Sequence, residues 1–534
     1  MIEFELKFKV DANRREAVEA AVERGRSYRK RLRARYFDTA DGALAARRIV
    51  LRLRKEEGSW IQTAKAPTGD PLARHEHNVE LPPMRASEVP LPDLARHRGS
   101  PVGALIDKAL RQAGLDPETA ELVPLYGTDV WRTTREMHSG DALVELAFDV
   151  GSVRAGDRSH ALCELEMELK HGSPAAMLEL CRRWCTRYGL WLDTVSKSAQ
   201  GERLAQGIVH AAPLKAVAPR IEPKTPAPEV FRRVLSTCLQ QILANASEVG
   251  AGSSDPEHVH QLRVGIRRLR TALRELADLA PHIDPRWEPA LVDAFQALGR
   301  QRDRELVQQT VQAEARAHGG PAFGFHDDSD GEPTPAEVVR SAAFQAVLMD
   351  LIVAALPPAP PSPSLTAAPA HAASVGDRTV APSAAKADKA DKNGKAAKPA
   401  KADAPPHKLL RLRLDKLHRQ VLHDGKRFES LAPAEQHRVR KRLKRLRYLG
   451  EFVAPLYGRR AAERFLAMLE PAQDALGAHN DAVVAMAVCR ASAAHDGGAW
   501  FAVGWLAARH ADSAAGCRRA LEKLADAKPF WRDA

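Results

Sequence analysis

The chain opens on Glu3-x-Glu5-x-Lys7, three ionisable side chains set two residues apart. In an extended strand such residues share one face, while Phe4, Leu6 and Phe8 share the other. One strand of this kind describes any sheet with a wet side, but the pattern recurs. Arg52 and Arg54 alternate with Leu51 and Leu53, and Glu164, Glu166 and Glu168 alternate with Leu165, Met167 and Leu169. Glu145 and Asp149 stand two strand-steps apart. With the apolar faces packed outward against helices, the charged faces would line the lumen of a closed sheet. Carboxylates crowded there raise one another's pKa unless cations neutralise them. Interleaved Arg and Lys supply part of that charge, and divalent metal would supply the rest. Oxygen ligands without His or Cys suit Mg²⁺ or Mn²⁺ rather than zinc. Guanidinium groups bind phosphate oxygens bidentately. Such a lumen is built for metal-assisted chemistry on phosphate groups.

The elements that position these residues follow from periodicity. Strict alternation predicts strands over 3–10, 51–54, 76–81, 144–149 and 164–169,. Helices are predicted over 12–23 and 174–188. Alternation sends His75 and His77 to the face opposite Glu76, as packing or solvent groups rather than ligands. Residues 211–228 are rich in proline and alanine and read as a linker,. Beyond it the period changes to that of long amphipathic helices, as in 231–243 and 258–279. A low-complexity stretch over 357–406, with proline clusters and an Ala-Lys-Ala-Asp-Lys run, cannot build a core and reads as a disordered insertion,.

The helical half contains a duplication. His260-Gln-Leu-Arg263-Val-Gly-Ile-Arg267-Arg-Leu-Arg270 aligns with His437-Arg-Val-Arg440-Lys-Arg-Leu-Lys444-Arg-Leu-Arg447 at an offset of 177. Leu298-Gly299 with Arg302-Asp303 aligns with Leu476-Gly477 and Asn480-Asp481 at an offset of 178. On a helix, His260, Arg263, Arg267, Arg270 and Arg274 form one stripe, beside a core-facing stripe of Leu262, Ile266, Leu269 and Leu273. The second copy repeats both, with His437, Arg440, Lys444 and Arg447 polar and Val439, Leu443 and Leu446 inward. Like charges at these spacings repel, and a bound polyanion is the expected compensation. Nucleic-acid grooves interleave aromatics for base stacking, whereas these stripes hold almost none beyond Tyr448. A bare phosphate chain fits better than nucleic acid.

Length and composition agree. The 534 residues exceed one core, and 80 Lys+Arg against 68 Asp+Glu give a net charge of +12 and a pI near 9.5,. That excess points to a polyanionic partner. No apolar run is long enough to span a membrane, and the start lacks a signal-peptide core, so a cytoplasmic location is expected, with association to polyphosphate granules as an extension. The six cysteines lack CxxC spacing and read as reduced, mostly buried thiols,.

Glu3-x-Glu5-x-Lys7 resembles the opening signature of the CYTH, or triphosphate tunnel metalloenzyme, superfamily. The resemblance continues through Tyr36-Phe-Asp-Thr39, Leu51-Arg-Leu-Arg54, Lys65, Arg74-x-Glu76, Arg132, Asp149, Cys163-Glu-Leu-Glu-Met-Glu168 and Ser196-Lys197, over residues 1–205. It implies an eight-stranded antiparallel tunnel barrel with flanking helices, acting on acyclic triphosphates. It also implies that Glu3, Glu5, Asp149, Glu164 and Glu166 hold one or two Mg²⁺ or Mn²⁺ ions, one ion cradling the chain and the other activating water. Lys7, Arg52, Arg54, Lys65, Arg132, Arg154 and Lys197 would grip phosphates. Glu3, Glu5, Lys7 and Glu76 would make up the catalytic set, Glu76 orienting a basic residue or sharing a metal.

The second half resembles the CHAD (conserved histidine α-helical) domain. This implies two pseudo-symmetric four-helix bundles over 229–525, joined to the tunnel by a 206–228 linker and interrupted at 357–406. Polyphosphate would lie on His260, Arg263, Arg267, Arg270, Arg274, His437, Arg440, Lys444 and Arg447, with Asp303 and Asp481 capping or orienting them. The whole is then an α+β multidomain protein: an inorganic triphosphatase producing pyrophosphate and phosphate, fused to a polyphosphate-binding domain that concentrates the enzyme on polymer or feeds it chain ends. Two alternatives stand beside it. One is a non-catalytic polyphosphate scaffold; the other is an enzyme acting on thiamine triphosphate or cyclising ATP, with Trp60 or Trp131 at an apolar mouth.

Overall fold

The computed structural model describes residues 4–68, 74–85, 88–325, 331–357 and 406–532, with the backbone alone at 74 and 301–307. The first half runs β1 (Phe4–Lys9), α1 (Arg15–Val22), β2 (Ser27–Asp38), β3 (Val50–Glu56), β4 (Ser59–Pro67), β5 (Arg74–Glu80), α2 (Pro101–Gln112), β6 (Val123–Ser139), β7 (Ala142–Ala155), β8 (Arg158–His171), α3 (Pro174–Tyr188), β9 (Trp191–Leu192) and α4 (Lys197–Gln206). The strands form one antiparallel sheet in the order β5-β4-β3-β2-β6-β7-β8-β1-β9.

The sheet has nine strands rather than eight. The extra one is the two-residue β9, which returns after α3 and pairs Leu192 and Trp191 with Phe8 and Lys9 on the edge of β1. Its ends, β5 and β9, are not paired with each other among the described residues. The sheet nevertheless curls far enough that side chains of β1, β4 and β5 line one cavity.

The alternating pattern sorts the faces as expected on β1, β3, β7 and β8. Phe8, Leu165 and Met167 are fully buried on the outer side, in one apolar cluster with Cys181 and Trp184 of α3. β2 inverts the scheme: Leu32, Ala34 and Tyr36 face the lumen while Arg29, Arg31, Arg33 and Arg35 are exposed outside. The apolar inner residues belong to the end of the lumen that α4 closes. There Leu204 packs on Val130, Val153 and Leu162. A Cβ on Gly201 would come within 2.1 Å of the Tyr126 ring, itself stacked on Tyr36 at 4.6 Å. Only glycine lets the helix approach that closely.

The second half comprises α5 (Ala227–Gly250), α6 (Pro256–Glu275), α7 (Trp287–Ala317), α8 (Pro335–Arg340), α9 (Ala342–Ala354), α10 (Pro406–Gly425), α11 (Pro433–Val453), α12 (Arg459–Ser492) and α13 (Ala499–Lys523). They make two helical bundles, α5–α9 and α10–α13, with a basic helix, α6 or α11, second in each. Leu262, Ile266 and Leu269 are fully buried in one copy and Val439, Leu443 and Leu446 in the other. Irregular chain precedes α5, strapped to the helices: Asn245 exchanges hydrogen bonds with the Leu214 backbone at 3.1 and 2.9 Å, and Ile221 joins the core. The 357–406 insertion lies outside the described residues except at its two ends. No helix among the described residues is long and apolar enough to cross a membrane. All six cysteines are free thiols, Cys163 half-buried and the rest buried.

The halves share a core. One apolar cluster continues from Phe8 and Trp184 into Ile242 and Leu348. Arg182 of α3 pairs with Asp350 of α9 at 2.9 Å, and Arg340 of α8 with Asp11 at 3.2 Å.

Candidate functional site

The sheet encloses a cavity of about 580 Å³. Its acidic centre is Asp149, Glu164 and Glu166. Asp149 faces Glu164 across the β7–β8 ladder, and Glu166 faces Lys7 across β8–β1. One oxygen from each carboxylate lies within 4.8 Å of the others, and Asp149 and Glu164 are fully buried. Three cations hold this centre. Arg132 of β6 grips both oxygens of Asp149 at 2.7 and 2.6 Å and touches Glu166. Lys197, in the first turn of α4, lies 2.8 Å from Asp149 and 2.6 Å from Glu166 and touches Glu164. Lys7 reaches Glu164 and Asp193 at 3.3 Å each and donates to the Val195 carbonyl.

These contacts set the ionisation states. Burial works against charge on Glu166, yet Lys197 and Arg132 outweigh it and hold its carboxyl below the usual range. Burial likewise opposes the charge on Lys197, but the three carboxylates raise its pKa well above that of an ordinary lysine. Arg132 is held up in the same way by Asp149 and Glu166. Glu5 differs: burial first, then the Glu166 carboxylate, push it up to about 7, although its own side chain still meets water in the lumen. Glu164 Oε1 is buried with no hydrogen-bond donor aimed at it, although Lys197 touches it at ion-pair range. Surplus negative charge and an oxygen-only donor set fit a hard divalent cation on Asp149, Glu164 and Glu166, with Glu5 beside them.

The facing wall is basic. Arg52 and Arg54 of β3 and Lys65 of β4 line the cavity. Lys65 pairs with Glu76 across β4–β5 at 2.5 Å, and Arg54 with Glu56 at 2.9 Å. Burial would raise the Glu76 pKa, but its bond from Lys65 brings it below the usual range. The Nε–H groups of Arg52 and Arg54 are buried without an acceptor. Burial and the neighbouring Arg52 lower the Arg54 pKa, so this wall is short of negative charge while the opposite one has an excess.

The structure thus brings Glu5, Lys7, Arg52, Arg54, Lys65, Glu76, Arg132, Asp149, Glu164, Glu166 and Lys197 around one lumen. Arg154 does not join them. It is exposed on the outer face, its Nε 3.3 Å from Ser152 Oγ, because it lies five residues from Asp149 and so has the opposite strand parity,. Glu3 lies outside the described residues. His77 packs outside the lumen, its Nδ1 2.9 Å from that of His97. Trp60 is buried beneath Lys55, and Trp131 lies on the outer face under Arg29 and Arg31; neither lines the cavity. Sequence reasoning missed Asp193, Gln200 and the Lys30 with Glu56 pair. Spacing held a clue to Asp193, four residues before Lys197, but no alternation surrounds it.

The second constellation lies where α6 and α11 meet. Burial first, then Arg267 and Arg440, lower Lys444 to about 6, and Lys441 is lowered by burial and by Arg270 and Arg274. Cations of the two repeats therefore confront one another. Arg263 and Arg267 lie over the Phe295 ring of α7 at 4.8 and 5.6 Å. A Cβ on Gly299 would meet Arg263 Nη2 at 2.7 Å and displace that guanidinium, whereas around Gly477 the space is open. His437 Nδ1 lies 3.0 Å from Asn480, and Arg440 lies 3.8 Å from Asp481. Arg270 and Arg447 are engaged within their own bundles, by Glu288 at 2.7 Å and by Glu451 at 2.7 Å. His260 is half-buried and Arg274 exposed on the same helix. The Asp303 side chain is outside the described set. Between the two helices, Arg268 pairs with Glu451, and Arg445 with Glu275 at 3.1 Å. This reciprocal pair relates the repeats as a two-fold axis would.

A curled antiparallel sheet enclosing facing carboxylate and guanidinium walls, followed by two bundles sharing a basic seam, defines a tunnel protein with a helical companion. Family comparison agrees: residues 1–201 match the CYTH domain and residues 233–490 the CHAD domain, so the chain is a CYTH–CHAD fusion. An inorganic triphosphatase of Haemophilus influenzae is 26% identical over 171 residues, 31% of this chain and 44% of that relative, so the match spans less than half of it. Among solved structures, the CHAD domain of Ricinus communis matches at 24% identity and a TM-score of 0.40, covering 58% of this chain and 96% of its own. A protein from Hippeastrum described as having a dominant triphosphatase activity matches at 17% identity and a TM-score of 0.28, covering 39% of this chain and 97% of its own.

Proposed function

We propose that the tunnel hydrolyses inorganic triphosphate to pyrophosphate and phosphate, using Mg²⁺ or Mn²⁺, and that the groove between α6 and α11 binds inorganic polyphosphate. The observation that carries the first part is the carboxylate triad of Asp149, Glu164 and Glu166 facing the acceptor-free Nε–H groups of Arg52 and Arg54. Asp149, Glu164, Glu166 and Glu5, with Glu3 two residues earlier in the sequence, would hold the ion. A divalent ion bound there supplies neutralisation of phosphate charge and a more acidic bound water.

The rest falls to the chain's own side chains. Arg52 and Arg54 offer forked donors to phosphate oxygens, and Lys65, steadied by Glu76, adds a third cation on that wall. Lys7, Arg132 and Lys197 keep the carboxylates ionised and in place. Water adds at the terminal phosphorus as the anhydride P–O bond breaks, with pyrophosphate leaving. Positioning and charge neutralisation dominate such a loose transition state. Trp60 and Trp131 lie outside the lining, so neither supplies the aromatic mouth expected for an organic triphosphate.

In the groove, cations of two repeats crowd one another and outnumber the acids, Asp481, Glu275 and Glu451, that meet them there. That is a site for a polyanion needing no base stacking. A cytoplasmic location goes with this reading, with granule association where polymer accumulates.

The test is phosphate release from tripolyphosphate with Mg²⁺ or Mn²⁺, comparing wild type with Glu5→Gln. Release should fall by about 100-fold or more in the variant, a loss of roughly 3 kcal/mol of barrier stabilisation, while the variant stays folded. Near-wild-type release would remove Glu5 from the metal site. No release from wild type, with long polyphosphate still bound, would make the tunnel a receptor.

A further inference from the structure

The strand that delivers Lys197 to the tunnel is held from outside by the helical half. Between β9 and α4, residues alternate in allegiance. Asp193 turns inward to Lys7 at 3.3 Å, and the Val195 carbonyl accepts from Lys7 and, at 3.2 Å, from Gln200. Lys197 follows, on the carboxylate triad. Leu192 and Thr194 turn the other way. The Leu192 N–H donates to Gln345 Oε1 of α9 at 2.7 Å, and the Thr194 N–H to Ser247 Oγ of α5 at 3.0 Å, with the two hydroxyls also 3.0 Å apart.

Both acceptors are themselves fixed. Gln345 is 1% exposed and donates its amide to the Val339 carbonyl at 2.7 Å; Ser247 is 1% exposed and donates to the Leu243 carbonyl at 2.9 Å. The next residue on α5, Glu248, pairs with Arg203 of α4 at 2.7 Å. Leu243 of α5 and Ile352 of α9, with Leu356 just past α9, line the cavity itself. Hydrogen bonds to buried, pre-fixed acceptors define position as well as add stability.

We infer that Ser247 and Gln345 are positioning residues for the tunnel: through Thr194 and Leu192 they hold the segment carrying Asp193 and Lys197, so the reaction centre is completed by the helical half. This rests on the triphosphatase reading for its kinetic consequence and on geometry alone for its structural one.

The test compares Ser247→Thr with Ser247→Val in the full-length protein. The two replacements have nearly the same shape, so any crowding is common to both, and only Thr keeps an oxygen for the Thr194 amide. Tripolyphosphate turnover is measured with Mg²⁺ below the unfolding transition, together with deuterium exchange of a peptide covering 189–197. The Val variant should show kcat about 10-fold below the Thr variant, KM within about 2-fold, equal affinity for long polyphosphate, and faster exchange of that peptide. Gln345→Met should shift the same readouts if either Ser247 variant fails to fold. Equal kcat and equal exchange in folded variants would overturn the inference and leave the triphosphatase reading intact. Absence of release from wild type would sink that reading instead; the exchange difference, together with tripolyphosphate affinity, then decides the positioning role.

Discussion

Lys444 gives the groove a measurable proton signature. Its pKa of about 6 arises because burial and the guanidinium groups of Arg267 and Arg440 disfavour a further positive charge, with Asp481 only partly offsetting them. At pH 8 about 1% of Lys444 is charged in the free protein. A phosphate chain in the groove reverses the electrostatics, and a return toward lysine's ordinary 10.4 draws in close to one proton per chain bound. Phosphate end groups, with a pKa near 6, are already ionised at that pH and do not contribute. Isothermal titration in two buffers of different ionisation enthalpy should therefore report uptake of about one proton at pH 8. Affinity should weaken by up to about tenfold per pH unit from pH 7 toward 10.

The sign of the stability effect is independent of ligand. The unfolded chain binds the Lys444 proton up to about pH 10.4 and the folded chain only up to about 6, so stability rises with pH across that window and the deficit is complete below it. At pH 8 the full shift would amount to about 3 kcal/mol, and solvent screening at this partly exposed site reduces it to about 1 kcal/mol. Lys444→Met should raise the free protein's stability by that amount while abolishing proton uptake. Uptake that persists in the variant, or a variant no more stable than wild type, would refute the electrostatic account.

Gly299→Ala should push Arg263 off Phe295 and weaken polyphosphate binding about tenfold, whereas Gly477→Ala should leave binding unchanged and stabilise α12 by about 1 kcal/mol, both read by titration and thermal unfolding,. Arg268→Met and Arg445→Met each strip one acid, Glu451 or Glu275, of a cross-repeat partner. Each should lower stability in urea by about 2 kcal/mol, Arg445→Met somewhat more because Glu451 keeps Arg447 while Glu275 is more deeply buried,.

The tunnel was legible where charge and apolar residues alternate. Glu164–Glu166, Arg52–Arg54 and Glu5–Lys7 each announce a two-faced strand, and the faces fall as the period requires. Legibility failed where period and geometry part. Arg154 stands an odd number of residues from Asp149, and strand parity alone places it outside; the resemblance overrode that count. β9 is too short to show any period, and its pairing depends on the edge of β1 that the barrel leaves open. β2 inverts its faces because α4 fills that end of the lumen, a tertiary fact that no local pattern records. In the helical half the duplication exposed both basic stripes. Arg268 and Arg445 stand beside those stripes and stayed hidden, since a stripe drawn at spacings of three and four does not show which cations find acids on the other repeat.

The tunnel's carboxylate wall and the groove use the same residue types under opposite electrostatic conditions. Lys7, Arg132 and Lys197 have their pKa values raised, because carboxylates from neighbouring strands more than offset burial. Lys441, Lys444 and Arg445 have theirs lowered, because burial and other cations surround them. The tunnel's carboxylate wall is thus largely satisfied before any ligand arrives, its cations holding the carboxylates where a reaction needs them in the manner of preorganised sites, while Arg52 and Arg54 opposite keep buried Nε–H groups without an acceptor. The groove crowds like charges at some expense in stability, as functional surfaces commonly do, even though Arg270, Arg440 and Arg447 each meet an acid. A site of the first kind discriminates by geometry, since a phosphate chain must compete with carboxylates already in place and gains only if a metal takes their charge. A site of the second kind discriminates mainly by charge density and responds to any sufficiently long polyanion, with salt sensitivity to match. On the proposed reading, retaining the polymer with the groove and reserving selectivity for the tunnel would let each part meet a demand that would weaken the other.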